Sequence, residues 1–171
     1  DDVLANVRTA VLIGQARTPH EDVEFAALLL EEMAVRALSP GTNDPYTAIN
    51  ALDDLSAGLV RLAGRRKPSP YRYDQQGRLR VVAPRIVLMD LVDHVVDAMR
   101  VYATGHPMVL HRTLELVEQV GAASGQPSER SRMDTQVQRL VEAVGLSSPQ
   151  GCDAEDLNRH AARVRRSLAD H

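Results

Sequence analysis

The chain has no tryptophan, one phenylalanine, one cysteine and one lysine, and four tyrosines complete its aromatics. With so few rings, the core must be built from Leu, Val, Ala and Met, a palette that suits helices packed on helices. The single cysteine, Cys152, excludes an internal disulfide and any multi-cysteine zinc site, and it leaves the redox compartment open. No apolar run reaches the roughly 20 residues that cross a bilayer. There is no Gly-x-Ser-x-Gly elbow, no Gly-Lys-Ser/Thr phosphate loop and no Glu-x-x-His pair of the di-iron bundles. Those absences count against serine hydrolase, nucleotide-phosphate and di-iron oxygen chemistry. No internal repeat or low-complexity tract is visible.

What remains is an ordinary globular mixture, 44% hydrophobic and 25% charged, over 171 residues. That length fits one domain spanning 1–171, able to bury about two-thirds of its unfolded surface. The net charge of −3 conceals an asymmetry. Between Arg61 and Arg85 eight basic residues face one acid, a net of +7. The rest of the chain holds twelve basic residues against twenty-two acids, a net of −10. Such a split either folds the basic loop onto its own acids or offers a surface to an anionic partner. Arginine outnumbers lysine nineteen to one, for which genomic base composition is the duller explanation and bidentate phosphate recognition the sharper one.

Helical spacing of Val3, Leu4, Val7, Val11 and Leu12 predicts a helix over 2–16. Thr18, Pro19 and Glu21 read as a capping box that opens a second helix running to about Leu38. Its inward positions are Val23, Ala26, Ala27, Leu30, Met33, Ala34 and Ala37, with Glu31 among the outward acids. At Ser39-Pro40 that helix must stop, and Gly41 is the residue expected to supply positive φ. Asp44-Pro45 restarts a helix, the Asp44 carboxylate accepting the amides of Tyr46 or Thr47. Ile49, Leu52, Leu55, Leu59 and Leu62 line that third helix. Tyr71–Tyr73 and Leu79–Val82 flank a polar turn containing Gly77 and predict a short hairpin. Pro84 opens the next helix (Leu88, Leu91, Val92, Val95, Met99), and Gly105-His106-Pro107 precedes another (Leu110, Leu114, Val117, Val120). Ser128 and Asp153 read as caps of two last helices, with stripes Met133-Val137-Leu140-Val144 and Leu157-Ala161-Val164-Leu168. The predicted fold is all-α, a multi-helix bundle with a short β-hairpin insertion near residues 70–83.

Three stretches in order, "ARTPHEDVEF", "AVRALSPGTNDPYTAINALDDL" and "GRLRVVAP", resemble domain of unknown function 2254, a family of predicted bacterial membrane proteins. The resemblance covers Asp1 to about His111. It implies N-terminal transmembrane helices followed by a soluble portion, of which this chain resembles the latter. The opening "DDVLANVRTAV" also reads as interior sequence. The parent is therefore expected in the cell membrane, tethered through an N-terminal part, with the side of the membrane open. The resemblance supplies no catalytic residue.

Candidate sites are then weighed against structural roles. Asp90, Asp93, His94 and Asp97 fall on one helical face and could ligate a divalent metal, although a solvated outer face explains them more economically. Ser39, Thr42 and Cys152 are the available nucleophiles, none with a recognisable histidine partner. His106 and His111 read as polar surface residues. In the loop Ser39–Pro45, Asp44 would repel phosphate, so Ser39, Thr42, Asn43 and Asp44 fit a cation or a partner's amides better. Arg65, Arg66, Lys67 and Arg72, in a loop held extended by Pro68 and Pro70, are expected to contact anionic lipid headgroups. Nucleic acid is the minority alternative, resting on tyrosines among arginines. The expected function is a non-enzymatic domain of a membrane protein serving oligomeric assembly, gating or sensing, with no cofactor and a homo-oligomeric state. A metal-dependent hydrolase centred on the Ser39–Pro45 loop is the alternative.

Overall fold

In the computed structural model, which describes residues 5–6, 8–9, 16–20, 22–83, 86–146 and 151–170, the apolar stripes become six helices and one hairpin. They are α1 (Val23–Ala37), α2 (Pro45–Ala63), β1 (Tyr71–Tyr73), β2 (Leu79–Val82), α3 (Leu88–Tyr102), α4 (Pro107–Ala123), α5 (Pro127–Leu146) and α6 (Gly151–Asp170). This is the all-α bundle with a hairpin insertion. Of the helix predicted over 2–16, Ala5, Asn6, Arg8 and Thr9 are helical, and its apolar positions lie outside the described residues.

The helix α2 is sandwiched between α1 and α4; α4 continues onto α6, and α5 packs across α3 and α6. Leu52, Leu55 and Leu59 of α2 meet Leu110, Leu114 and Val117 of α4 in one core, all almost fully buried. The predicted stripes of α3, α5 and α6 are buried with them. Polar threads cross the core where apolar packing cannot fix register. Ser56 Oγ on α2 donates to Gln119 Oε1 on α4 at 2.6 Å, which satisfies a hydroxyl that is only 3% exposed.

Several boundaries differ from the predicted ones. The cap of α1 is Asp22, not Thr18: its extended backbone lets the carboxylate accept the Phe25 amide at 2.9 Å. Arg17 clamps this corner, bonding Asp22 at 2.6 Å and Glu24 at 3.0 Å with its guanidinium over the Phe25 ring. Glu21 lies outside the described residues. The helix α3 starts at Leu88 after Val87, which makes no side-chain cap; Pro84 lies outside the described residues. Ser128 and Asp153 sit inside the first turns of α5 and α6 rather than capping them.

The edge position of α1 also corrects its inward face. Only Ala27, Ala34 and Ala37 are buried, whereas Val23 and Met33 stay 47% and 42% exposed. Among the described residues α1 has neighbours on one side, and such a helix covers a narrower stripe than its apolar content offers. The small side chains thus serve the chain's own α1–α2 contact.

Candidate functional site

The Ser39–Pro45 loop is a tight turn between α1 and α2. The Asp44 amide donates back to the Ala37 carbonyl at 2.8 Å, and the Thr42 and Asn43 amides both donate to Ser39 O. Positive φ falls on Asn43, at 46°, rather than on Gly41. Asparagine tolerates the left-handed region, which accounts for a residue that helix stopping and starting leave unexplained. The Asp44 Oδ1 atom accepts the amides of Tyr46 and Thr47 at 3.1 Å each, and Oδ2 accepts the Thr47 hydroxyl at 2.5 Å. The Thr47 hydroxyl and amide, ahead of Tyr46, hold this carboxyl below its ordinary value. Ser39 Oγ donates to Thr42 Oγ1 at 3.3 Å. The four residues are together; Ser39 and Thr42 bond each other, Asp44 bonds the start of α2, and Asn43 is exposed.

The acidic face of α3 is divided among three partners. Arg132 of α5 bridges Asp90 at 2.9 Å and Asp93 at 2.5 Å, and Asp97 pairs with Arg100 at 3.2 Å. His94 is exposed and faces Glu31 of α1, whose carboxyl is raised by partial burial against the opposing pull of His94. Glu31 is thus half-buried, not outward. Among the described residues no group of three or more His, Cys, Asp or Glu could hold a metal ion. The side chain of Cys152 lies outside the described residues.

The basic segment gathers. Arg65, Arg66, Lys67 and Arg72 line one open groove of about 550 Å³, with Val23, Leu62, Ile86 and Leu88 supplying apolar wall. Their roles differ. Lys67 Nζ pairs with Glu129, a carboxylate 8% exposed at the start of α5, which also accepts the Ser124 hydroxyl at 2.6 Å. Burial opposes the charge on Glu129, but the bonds from Lys67 and Ser124 prevail and lower its pKa. Lys67 is therefore a structural tether. Among the described residues Arg72 bonds backbone carbonyls, those of Ser69 and Tyr71, and pairs with no acid. Arg65 and Arg66 are exposed and pair with no acid among the described residues. Arg80 pairs with Asp74 at 2.7 Å across the hairpin turn.

Beside the groove, each hairpin strand has the other as its close backbone neighbour and none of the six described helices. Every residue of both strands is exposed, including Tyr71, Tyr73, Leu79, Val81 and Val82. Together they form an exposed apolar patch on the hairpin.

Sequence reasoning missed one more cluster. His111 on α4 and His160 on α6 stack with ring centroids 5.1 Å apart, their Nδ1 atoms 2.8 Å from each other. The available signal was position: His160 falls between Leu157, Ala161 and Val164 in the buried stripe.

Fold and surface together define a helical domain with a cationic, apolar-walled groove and a bare hairpin, and no described helix is long and apolar enough to cross a membrane. The model of the predicted membrane protein family DUF2254 matches residues 1–119, and the chain belongs to that family. It is 35% identical over 134 residues to uncharacterized proteins of Mycobacterium bovis AF2122/97 and of Mycobacterium tuberculosis strains CDC 1551 and H37Rv. The match covers 78% of this chain and 26% of each relative, so the chain spans about a quarter of their length. No solved structure matches.

Proposed function

We propose that this chain is a non-enzymatic domain of a membrane protein, held with its cationic groove against an anionic bilayer surface and serving assembly, gating or sensing there. The observation that carries this reading is the convergence of Arg65, Arg66 and Arg72 on one groove, none of them paired with an acid among the described residues. Each basic residue beside an anionic leaflet contributes roughly 1 kcal/mol, fading within a Debye length of about 8 Å at physiological salt. Three arginines orient a domain that is already tethered, but they bind weakly without the tether. Copies associate through α1, where Leu29 and Met33 leave 40% and 42% of their surface bare one turn apart.

The alternative, a metal-dependent hydrolase using Asn43 and Asp44, gains nothing from the loop, because capping engages both Asp44 oxygens. Co-sedimentation tests the leading reading. Vesicles containing phosphatidylglycerol should pull the protein down at low salt, and pure phosphatidylcholine should not. Replacing Arg65, Arg66 and Arg72 with glutamine should abolish the difference, with Lys67 kept because Glu129 depends on it. Binding that ignores lipid charge would overturn the proposal. Sedimentation velocity reports the association, and a monomer at high micromolar concentration would refute that part.

A further inference from the structure

The register of the hairpin sorts its side chains. Tyr71 opposes Val82, Arg72 opposes Val81 and Tyr73 opposes Leu79, with an irregularity between Arg72 and Tyr73 that leaves Arg80 as the extra residue. Opposed residues and i, i+2 neighbours share a face. One face therefore carries Tyr71, Tyr73, Leu79 and Val82, two phenols and two aliphatics. The other carries Arg72, which lines the groove, and Val81. The turn between the strands is polar, closed by Asp74 accepting the Gln76 and Arg78 amides at 3.0 and 2.9 Å.

We infer that this tyrosine face is an interfacial wedge, lying flat in the headgroup layer of an anionic bilayer. The inference rests on the reading above that this domain is held against such a surface; Arg72, on the opposite face of the hairpin, stays turned to the groove. Three features select the occupant. Tyrosine, apolar in body and polar at its tip, belongs at the membrane–water boundary, where the hydroxyl stays hydrated. The segment around the face carries a net +7, complementary to anionic lipid and unsuited to association with a second copy bearing the same charge. The hairpin also sets its own depth. Both strands are edge strands with unpaired backbone groups, which hydrocarbon would penalise and hydrated headgroups would not. The polar turn cannot enter tip first, so the hairpin lies on its face.

Because the chain has no tryptophan, single replacements give clean reporters. Tyr71→Trp and Tyr73→Trp should shift their emission to the blue with phosphatidylglycerol vesicles. Lipids brominated high on the acyl chain should quench them more than lipids brominated deep. Gln76→Trp at the turn and Tyr46→Trp on α2 should do neither. A second variant, Leu79→Ser with Val82→Ser, should weaken vesicle binding by about tenfold and leave the melting temperature unchanged, since the strands contact none of the described helices. Co-sedimentation without quenching at positions 71 and 73 overturns the wedge and leaves the groove reading intact. Absence of any co-sedimentation overturns both. A blue shift that appears without vesicles and grows with protein concentration assigns the face to a second copy and also overturns the wedge.

Discussion

His160 and His111 place two Nδ1 atoms 2.8 Å apart between α6 and α4, so a single proton can lie between the rings. One ring donates it and the other accepts. His160 is 7% exposed and its Nε2 has no partner among the described residues, so a second proton on this ring would be buried without an acceptor there.

Stability should therefore fall as the pH drops below about 6.5. Burial, then the positive charge of Arg163 and the proximity of His111, lower the pKa of His160, against the smaller opposing pull of Glu115 and Glu118. Asp156, Arg159 and Arg166 complete the charged surroundings. In the unfolded chain this histidine titrates at its ordinary 6.5, so the unfolded state takes up the proton first. The contribution is complete above that value and is lost as pH falls from 6.5 toward the folded pKa. Thermal melts between pH 7.5 and 5.5 should show the decline, and His160→Phe, which keeps a stacked ring, should flatten it. A flat wild-type profile over this range would sink the argument.

In the α1–α2 turn, backbone geometry and capping make separable contributions. Asn43→Val should cost about 1–2 kcal/mol, because a β-branched side chain resists the left-handed region at φ 46°. Asn43→Gly should be tolerated. Gly41→Ala should be tolerated too, since its φ is not positive and a Cβ there meets nothing within 4 Å. Asp44→Ala should lower the melting temperature by about 2–4 °C through loss of the cap. An unchanged melting temperature for Asp44→Ala would mean the carboxylate serves something other than the fold.

These residues also show what the sequence made legible. Stripes such as Leu52-Leu55-Leu59 and Leu157-Ala161-Val164 are local and repeat every turn, so their burial follows from spacing alone. The hairpin strands and the Asp44 cap were equally local. Helix starts were less secure, because Asp22 competes with Thr18 for the same role and only geometry decides. The bare Val23 and Met33 depend on α1 being an edge helix, which periodicity does not record. The polar contacts between distant helices escaped. His111 and His160 are 49 residues apart, Lys67 and Glu129 are 62, and Arg132 reaches α3 from another helix. Only the gathering of Arg65, Arg66 and Arg72 was anticipated as a group, because charge density along the chain is itself a local signal.

The Lys67–Glu129 pair gives a prediction with an internal control. The Glu129 side chain is 10% exposed and is held by Lys67 and the Ser124 hydroxyl. Lys67→Gln removes the charged partner and leaves a buried carboxylate under-satisfied, which should cost about 1–3 kcal/mol at neutral pH. The pH dependence identifies the cause. The folded pKa of Glu129 lies below its ordinary 4.5, so the stabilisation is complete above that value and disappears as pH falls through the folded pKa. The stability gap between wild type and Lys67→Gln should then be widest near pH 7 and close toward pH 3, as Glu129 takes up a proton in both proteins. Lys67→Arg should retain most of the stability, and Arg66→Gln, one residue away with no acid partner among the described residues, should be neutral. Urea titrations of these variants across that range provide the measurement. A gap that is constant with pH would show that Lys67 acts through its packing and not through the charge of Glu129.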